Sequence, residues 1–366
     1  MEMIKCRHCL QEYPLTEIYG LQRFGMHAQM MRHSGQDLEG WPEGARPWSE
    51  VRPAAVDTSR RRVRFKRADK YANATNLGGG FDPYCPYGHV VIDALADKPF
   101  VITVAGNVNA AKSTYLLGTA AEIFATGRLG PVGISASILP SQVDALRAKI
   151  DLVYGEGQPL PPTPEEEVHE GYVARLQLPD GTRRSLAMFD VSGEVIRNVQ
   201  KSAQSGRFLY ESDAIILLLD PDGFPDRDAF MKPIVPGTDL AGPQQVSTLA
   251  DGIEQVTERK VNIPIIVTVS KADKFGSWSV DVPQPKTLQE VDKYLREESK
   301  QVQEFLISEG LEPVVSTAIA RFGEEKTGFA RVSALGMDYG KQEFGGTLRP
   351  DGCWRPVASA ISLGGM

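Results

Sequence analysis

Gly106-Asn107-Val108-Asn109-Ala110-Ala111-Lys112-Ser113 lies between the apolar run Phe100-Val101-Ile102-Thr103-Val104-Ala105 and a stretch with helical spacing. A phosphate-binding loop asks for Gly, four free positions, Gly, Lys and then Ser or Thr, so that backbone N–H groups and a helix N-terminus surround the phosphates. Ala111 stands where the second Gly belongs. Lys112 has the reach for the β- and γ-phosphates, Ser113 has the hydroxyl that binds Mg²⁺, and Thr114 completes the candidate contact set that begins at Gly106. The pattern predicts a nucleoside triphosphate site at a strand–loop–helix junction, with reduced clearance at Ala111.

Three further strand ends carry polar signatures. Ser185-Leu186-Ala187-Met188-Phe189, preceded by a turn at Pro179-Asp180-Gly181-Thr182, ends in Asp190-Val191-Ser192-Gly193-Glu194. An Asp at the carboxyl end of a buried strand is placed to hold a metal's water, and a Gly three residues on lets its N–H approach a γ-phosphate. Ile263-Pro264-Ile265-Ile266-Val267-Thr268-Val269 ends in Ser270-Lys271-Ala272-Asp273, and Phe329-Ala330-Arg331-Val332 ends in Ser333-Ala334-Leu335-Gly336. Ala214-Ile215-Ile216-Leu217-Leu218-Leu219 is far shorter than the ~20 residues that span a bilayer and reads as a buried parallel strand.

In this order the four signatures resemble a P-loop GTPase of the Ras-like, translation-factor-related class, over residues 99 to 340. The resemblance implies an α/β sheet with helices on both faces and the motif loops gathered at one rim. Guanine offers N1–H and N2–H donors that one carboxylate accepts together, and adenine has no such edge, so Asp273 is the expected base reader. The family pattern puts the stem of Lys271 over the base and the N–H of Ala334, between Ser333 and Leu335, on the guanine oxygen. It assigns Mg²⁺ to Ser113, Asp190 and a switch Thr, for which Thr163 in Pro159-Leu160-Pro161-Pro162-Thr163-Pro164 is the candidate. Lys112, Thr163 and Glu194 are the expected catalytic groups, with Gly193 at the γ-phosphate.

Four departures from the pattern bear on affinity and turnover. Ser270 replaces the usual Asn or Thr and loses an amide that ties this loop to the phosphate loop. Ala111 adds a Cβ beside the β-phosphate, which predicts weaker nucleotide binding. Val108 occupies a position where Ras-like enzymes keep Gly to admit a water-positioning Gln and an arginine finger, and Glu194 stands in place of that Gln. GTP hydrolysis is expected to be slow. A binding protein without turnover, or a nucleotide-free scaffold, is the alternative.

Upstream, Cys6-Arg7-His8-Cys9 and Cys85-Pro86-Tyr87-Gly88-His89 suggest a tetrahedral structural zinc held by Cys6, Cys9, Cys85 and His89, with His8 as a rival fourth ligand and buried free thiols as the plainer reading. Cys353 stands alone and reads as structural. Between the halves, Arg60-Arg61-Arg62-Val63-Arg64-Phe65-Lys66-Arg67-Ala68-Asp69-Lys70 is either a nucleic-acid arm or a strand with a solvated basic face; the alternation through Val63 and Phe65 favours the strand.

The chain has 366 residues, 42% hydrophobic and 24% charged, enough for one large domain and an appendage. A net charge of −7 gives no global basic field toward nucleic acid or membrane, so neither is expected as a partner. With no apolar N-terminal core of signal length and few cysteines, the expected compartment is the cytoplasm. Expected domains are an N-terminal Cys/His zinc-ribbon-like module over 1–95, the Ras-like domain over 96–345 and a C-terminal tail over 346–366, with helices near 112–126, 141–153, 195–207, 244–259 and 287–309. An N-terminal Cys module with a GTPase domain ending in Val332-Ser333-Ala334-Leu335-Gly336 is most similar to the bacterial double-GTPase group implicated in conflict systems, which implies a protein partner or second GTPase.

Overall fold

The computed structural model describes residues 3–6, 11–14, 19–22, 53–57, 62–66, 71–73, 81–85, 98–107, 110–125, 127–130, 133–138, 140–160, 168–178, 181–191, 212–220, 242–257, 260–275, 288–336 and 348–364. The chain divides into two compact units, Met1–Pro99 with Arg183–Ser185, and Phe100–Thr182 with Leu186–Met366.

The first unit is built from short antiparallel pairings. Strands β1 (Met3–Lys5) and β2 (Glu12–Pro14) pair antiparallel, as do β3 (Tyr19–Gln22) and β7 (Phe81–Tyr84). β4 (Pro53–Asp57), β5 (Arg62–Lys66) and β6 (Tyr71–Asn73) form a three-stranded sheet. Within the basic segment, Arg62–Lys66 is thus a strand, as its alternation predicts, with Arg62, Arg64 and Lys66 at one parity and Val63 and Phe65 at the other.

The second unit contains a seven-stranded sheet of order β14-β13-β12-β8-β11-β10-β9. Its members are β8 (Lys98–Gly106), β9 (Ser135–Ile138), β10 (Val168–Gln177), β11 (Arg183–Val191), β12 (Ala214–Leu219), β13 (Ile265–Val269) and β14 (Thr327–Arg331). β12 is parallel to β8 and β13, and β13 is parallel to β14. The six apolar residues of β12, all buried, suit an inner strand of such a stack, where both faces are covered. β9 and β10 pair antiparallel at the edge. The expected turn before β11 is present: Leu178 N–H donates to Thr182 O (2.8 Å) and Gly181 N–H to Leu178 O (2.9 Å).

Side-chain parity divides the core in two. Ala214, Ile216 and Leu218 pack with α1 (Lys112–Ala120) and α6 (Trp354–Leu363). Ile215, Leu217 and Leu219 pack with α3 (Gly242–Thr257) and α5 (Glu312–Phe322). α4 (Leu288–Ser308) supplies Val291 and Leu295 to the first layer and Val302 and Leu306 to the second. α2 (Pro140–Ile150) precedes one wider turn, Asp151–Gly155, and α1 likewise continues into Ala121–Ala125.

Four expected helices are present with bounds shifted by a few residues; the fifth, near 195–207, lies outside the described residues. Two helices, α5 and α6, are additions. The stretch from 346, read from the sequence as a tail, contains α6, and Trp354, Val357, Ala358, Ala360 and Ile361 are buried in the core. The correction has a simple cause: this ten-residue helix offers an apolar face that would otherwise meet water.

Candidate functional site

Parallel strands put their carboxyl ends on one rim, so the loops leaving β8, β12, β13 and β14 converge there. At the end of β8, Gly106 has a φ of 154°, and a Cβ on it would lie 2.7 Å from Leu218 O of β12. Glycine is required there because the loop starts against the neighbouring strand's backbone.

Ala111 is the N-cap of α1 and lies in the left-handed region, φ 61° and ψ 33°. The loop therefore keeps the conformation that the missing glycine favours, with a strain of ~1 kcal/mol for the Cβ. Lys112 Nζ donates to Gly106 O (3.2 Å) and Asn107 O (2.9 Å), which folds its ammonium back over the loop where phosphates are expected. Ala110 N–H donates to Asn107 O (3.2 Å) and closes the turn. Val108 and Asn109 lie outside the described residues.

Ser113 on the first turn of α1 and Asp190 near the end of β11 meet, the hydroxyl donating to Asp190 Oδ2 at 2.6 Å. Asp190 is buried. A hydroxyl and a carboxylate oxygen at a helix N-terminus are hard donors of the type Mg²⁺ prefers, and the small set suits an ion that keeps water and phosphate as its other ligands. The residues present fit a nucleotide-bound Mg²⁺. Thr163, Gly193 and Glu194 lie outside the described residues.

At the opposite end of the rim the base loops come together. Ser333 Oγ donates to Asp273 Oδ1 (2.5 Å) and accepts from Gly336 N–H (3.0 Å). Ala272 N–H donates to Val332 O (3.0 Å) and joins the two loops through the backbone. Ser270, buried, donates from its hydroxyl to Leu219 O (3.0 Å), so the departure from Asn anchors its loop to β12. Lys271, at φ 50°, pairs with Asp220 Oδ2 at 2.6 Å.

Asp220 was missed in the sequence, although it follows the buried run of β12 just as Asp190 ends β11. Tyr154 and the 348–352 segment carried no local signal. Tyr154 Oη donates to Ala334 O (2.6 Å), Arg349 N–H donates to Leu335 O (3.0 Å), and Ser333 and Asp351 exchange backbone bonds of 2.9 and 2.8 Å. The base loop is thus held from three sides.

Among the described residues, no group of three or more His, Cys, Asp or Glu is placed to hold a metal. Of the expected zinc ligands, Cys6 and Cys85 are buried, and Cys9 and His89, like the rival His8, lie outside the described residues. No helix among the described residues is long and apolar enough to cross a membrane.

A sheet of this order, with a phosphate loop, a Ser–Asp pair and a carboxylate-bearing base loop on one rim, defines a P-loop GTPase. The chain belongs to the Double-GTPase 2 family, whose model matches residues 100–316. Comparison with curated proteins gives no match. Among solved structures, a point variant of Aquifex aeolicus Era bound to GDP and aluminium fluoride is similar at 14% identity, covering 68% of this chain and 56% of that one, with a TM-score of 0.28. Sup35 complexed with GDP is similar at 13% identity, covering 65% of this chain and 38% of that one, with a TM-score of 0.25. The chain therefore spans about half, or less, of the length of the structures it matches.

Proposed function

We propose that the protein is a cytoplasmic guanine-nucleotide switch with slow intrinsic GTP hydrolysis, acting with a protein partner or a second GTPase. The observation that carries this reading is Asp273 held by Ser333 at the base end of the rim. A carboxylate fixed there accepts the two guanine donors together, while Lys271, paired with Asp220, lies one position from the loop's turn. Ser113 and Asp190 would hold Mg²⁺, which neutralises phosphate charge, and Lys112 would exchange the carbonyls of Gly106 and Asn107 for phosphate oxygens.

The roles of Thr163 as switch residue, Gly193 at the γ-phosphate, Val108 as an obstruction and Glu194 in place of a water-positioning Gln rest on the order of the motifs. An ionised carboxylate beside a γ-phosphate accepts but cannot donate, so Glu194 suits binding better than turnover. A structural zinc on Cys6, Cys9, Cys85 and His89 belongs to the same proposal, supported by the burial of Cys6 and Cys85 in a unit of very short strands.

Titration of labelled GDP and ADP with Mg²⁺ tests the reading: tighter binding of GDP is expected, and equal or tighter ADP binding would overturn it. A nucleotide-free scaffold is the second reading, favoured by Lys112 bound to its own loop. Chromatography of the denatured, freshly purified protein separates the two, since a scaffold carries no guanine nucleotide.

A further inference from the structure

The base-reading loop hangs on a carboxylate at the far end of the phosphate helix. Glu122 lies in the turn that continues α1 and is 4% exposed. Its Oε1 accepts from Gly352 N–H (3.0 Å) and its Oε2 from Trp354 N–H (2.9 Å), so it caps the buried start of α6. Between these donors and the base lies a short chain of bonds. Asp351 precedes Gly352 and exchanges two backbone bonds with Ser333, and Ser333 orients Asp273. A Cβ on Gly118 of α1 would lie 2.9 Å from Cys353 Sγ and 3.1 Å from Tyr154 Oη, so α1 is notched where these residues approach.

We propose that Glu122 is a positioning residue for base selection, fixing the Ser333–Asp273 pair through the 351–354 segment so that the helix that begins at the phosphates also sets the guanine reader. This rests on the guanine reading of Asp273. An ionised Glu122 accepts both N–H groups; a neutral one keeps a proton that must point at one of them or find another partner, and the cap weakens.

The groups around Glu122 set where that change falls. Burial pushes its carboxyl up, the N–H groups of Trp354 and Gly352 and the charge of Arg355 pull it down, the Asp351 charge pushes it up, and the balance lies at about 7. Cys353, Tyr115 and Tyr154 also face it, each with its own ionisation pushed well up by burial. Base selection in the wild type is therefore expected to sharpen as pH rises from 6 to 7.5.

The test is the ratio of dissociation constants for inosine and guanosine diphosphates on the full chain, because inosine lacks the 2-amino donor and the phosphates cancel. In Glu122→Gln the ratio is expected to fall about fivefold, with inosine diphosphate binding little changed. It should also lose its rise with pH, while Asp351→Ala, whose tie to Ser333 is backbone, should keep the selectivity at pH 7.5. A wild-type ratio that stays flat from pH 6 to 7.5 would overturn the proposal, and this needs no variant to fold. So would a folded Glu122→Gln protein with an unchanged ratio. A wild type that binds ADP as well as GDP would instead overturn the guanine reading itself.

Discussion

Ser113 and Asp190 stand 77 positions apart in the chain and share a 2.6 Å hydrogen bond across the start of α1. The pair joins the start of α1 to β11. Ser113→Ala removes the hydroxyl proposed to bind Mg²⁺ and takes a hydrogen bond from the buried Asp190 carboxylate. Its GDP affinity should be lower by about tenfold and nearly insensitive to EDTA, whereas wild-type affinity should fall on chelation. Equal EDTA sensitivity in the two proteins would remove Ser113 from the metal site.

Ala111→Gly should stabilise the protein by about 1 kcal/mol, since the residue already sits at φ 61° and glycine occupies that region without a Cβ penalty. Part of the gain is offset by the freer unfolded chain. Nucleotide binding should tighten as well, because the backbone approaches phosphate more closely. Calorimetry with GDP, beside a thermal melt, checks both; weaker binding would show a loop adapted to alanine.

Asp273→Ala should cost at least tenfold in GDP affinity and bring GDP and ADP close to parity. Asp220→Ala should weaken GDP with less loss of discrimination, because Asp220 acts on Lys271 rather than on the base edge. Competition binding with both nucleotides separates the two patterns.

Stability should fall as pH rises toward neutrality. Glu122 moves from 4.5 to about 7 on folding, so the folded state holds this proton more tightly than the unfolded chain. Its contribution is complete below 4.5 and is lost as pH passes about 7. Urea unfolding at pH 5.0 and 7.5 should show this fall in the wild type and a smaller one in Glu122→Gln. The direction is opposite to that expected for base selection, which separates positioning from bulk stability.

Elemental analysis should find about one zinc per chain if Cys6, Cys9, Cys85 and His89 form a tetrahedral site, and Cys85→Ser should release it. Protein purified without chelators that contains no zinc would remove the metal from the N-terminal unit.

The sequence made the central strands legible because β12 and β13 are continuous apolar runs and each motif follows such a run. The edge was harder. β9 reads Ser135-Ala136-Ser137-Ile138 and is only partly covered, so it lacks the apolar signal that marked its neighbours. α5 begins at Glu312 with proline in its first turn, and α6 follows Gly352 and Cys353; neither announces itself by a long periodic stretch. At the candidate site, local motifs point to Lys112, Ser113, Asp190 and Asp273. They do not point to Glu122, because its partners lie 230 and 232 positions away and nothing in the sequence near it points to them.

The bonds from Ser333 to Asp351, and from Gly352 and Trp354 to Glu122, also set an order of assembly during translation. Asp273 and Ser333 leave the ribosome before residue 348 does, while the clamp that fixes them is still unmade. Released chains ending near residue 340 should therefore retain less guanosine nucleotide than released chains carried through α6, and equal retention would contradict this order. The growing polypeptide is expected to stay insensitive to the cell's GTP supply until synthesis has passed α6.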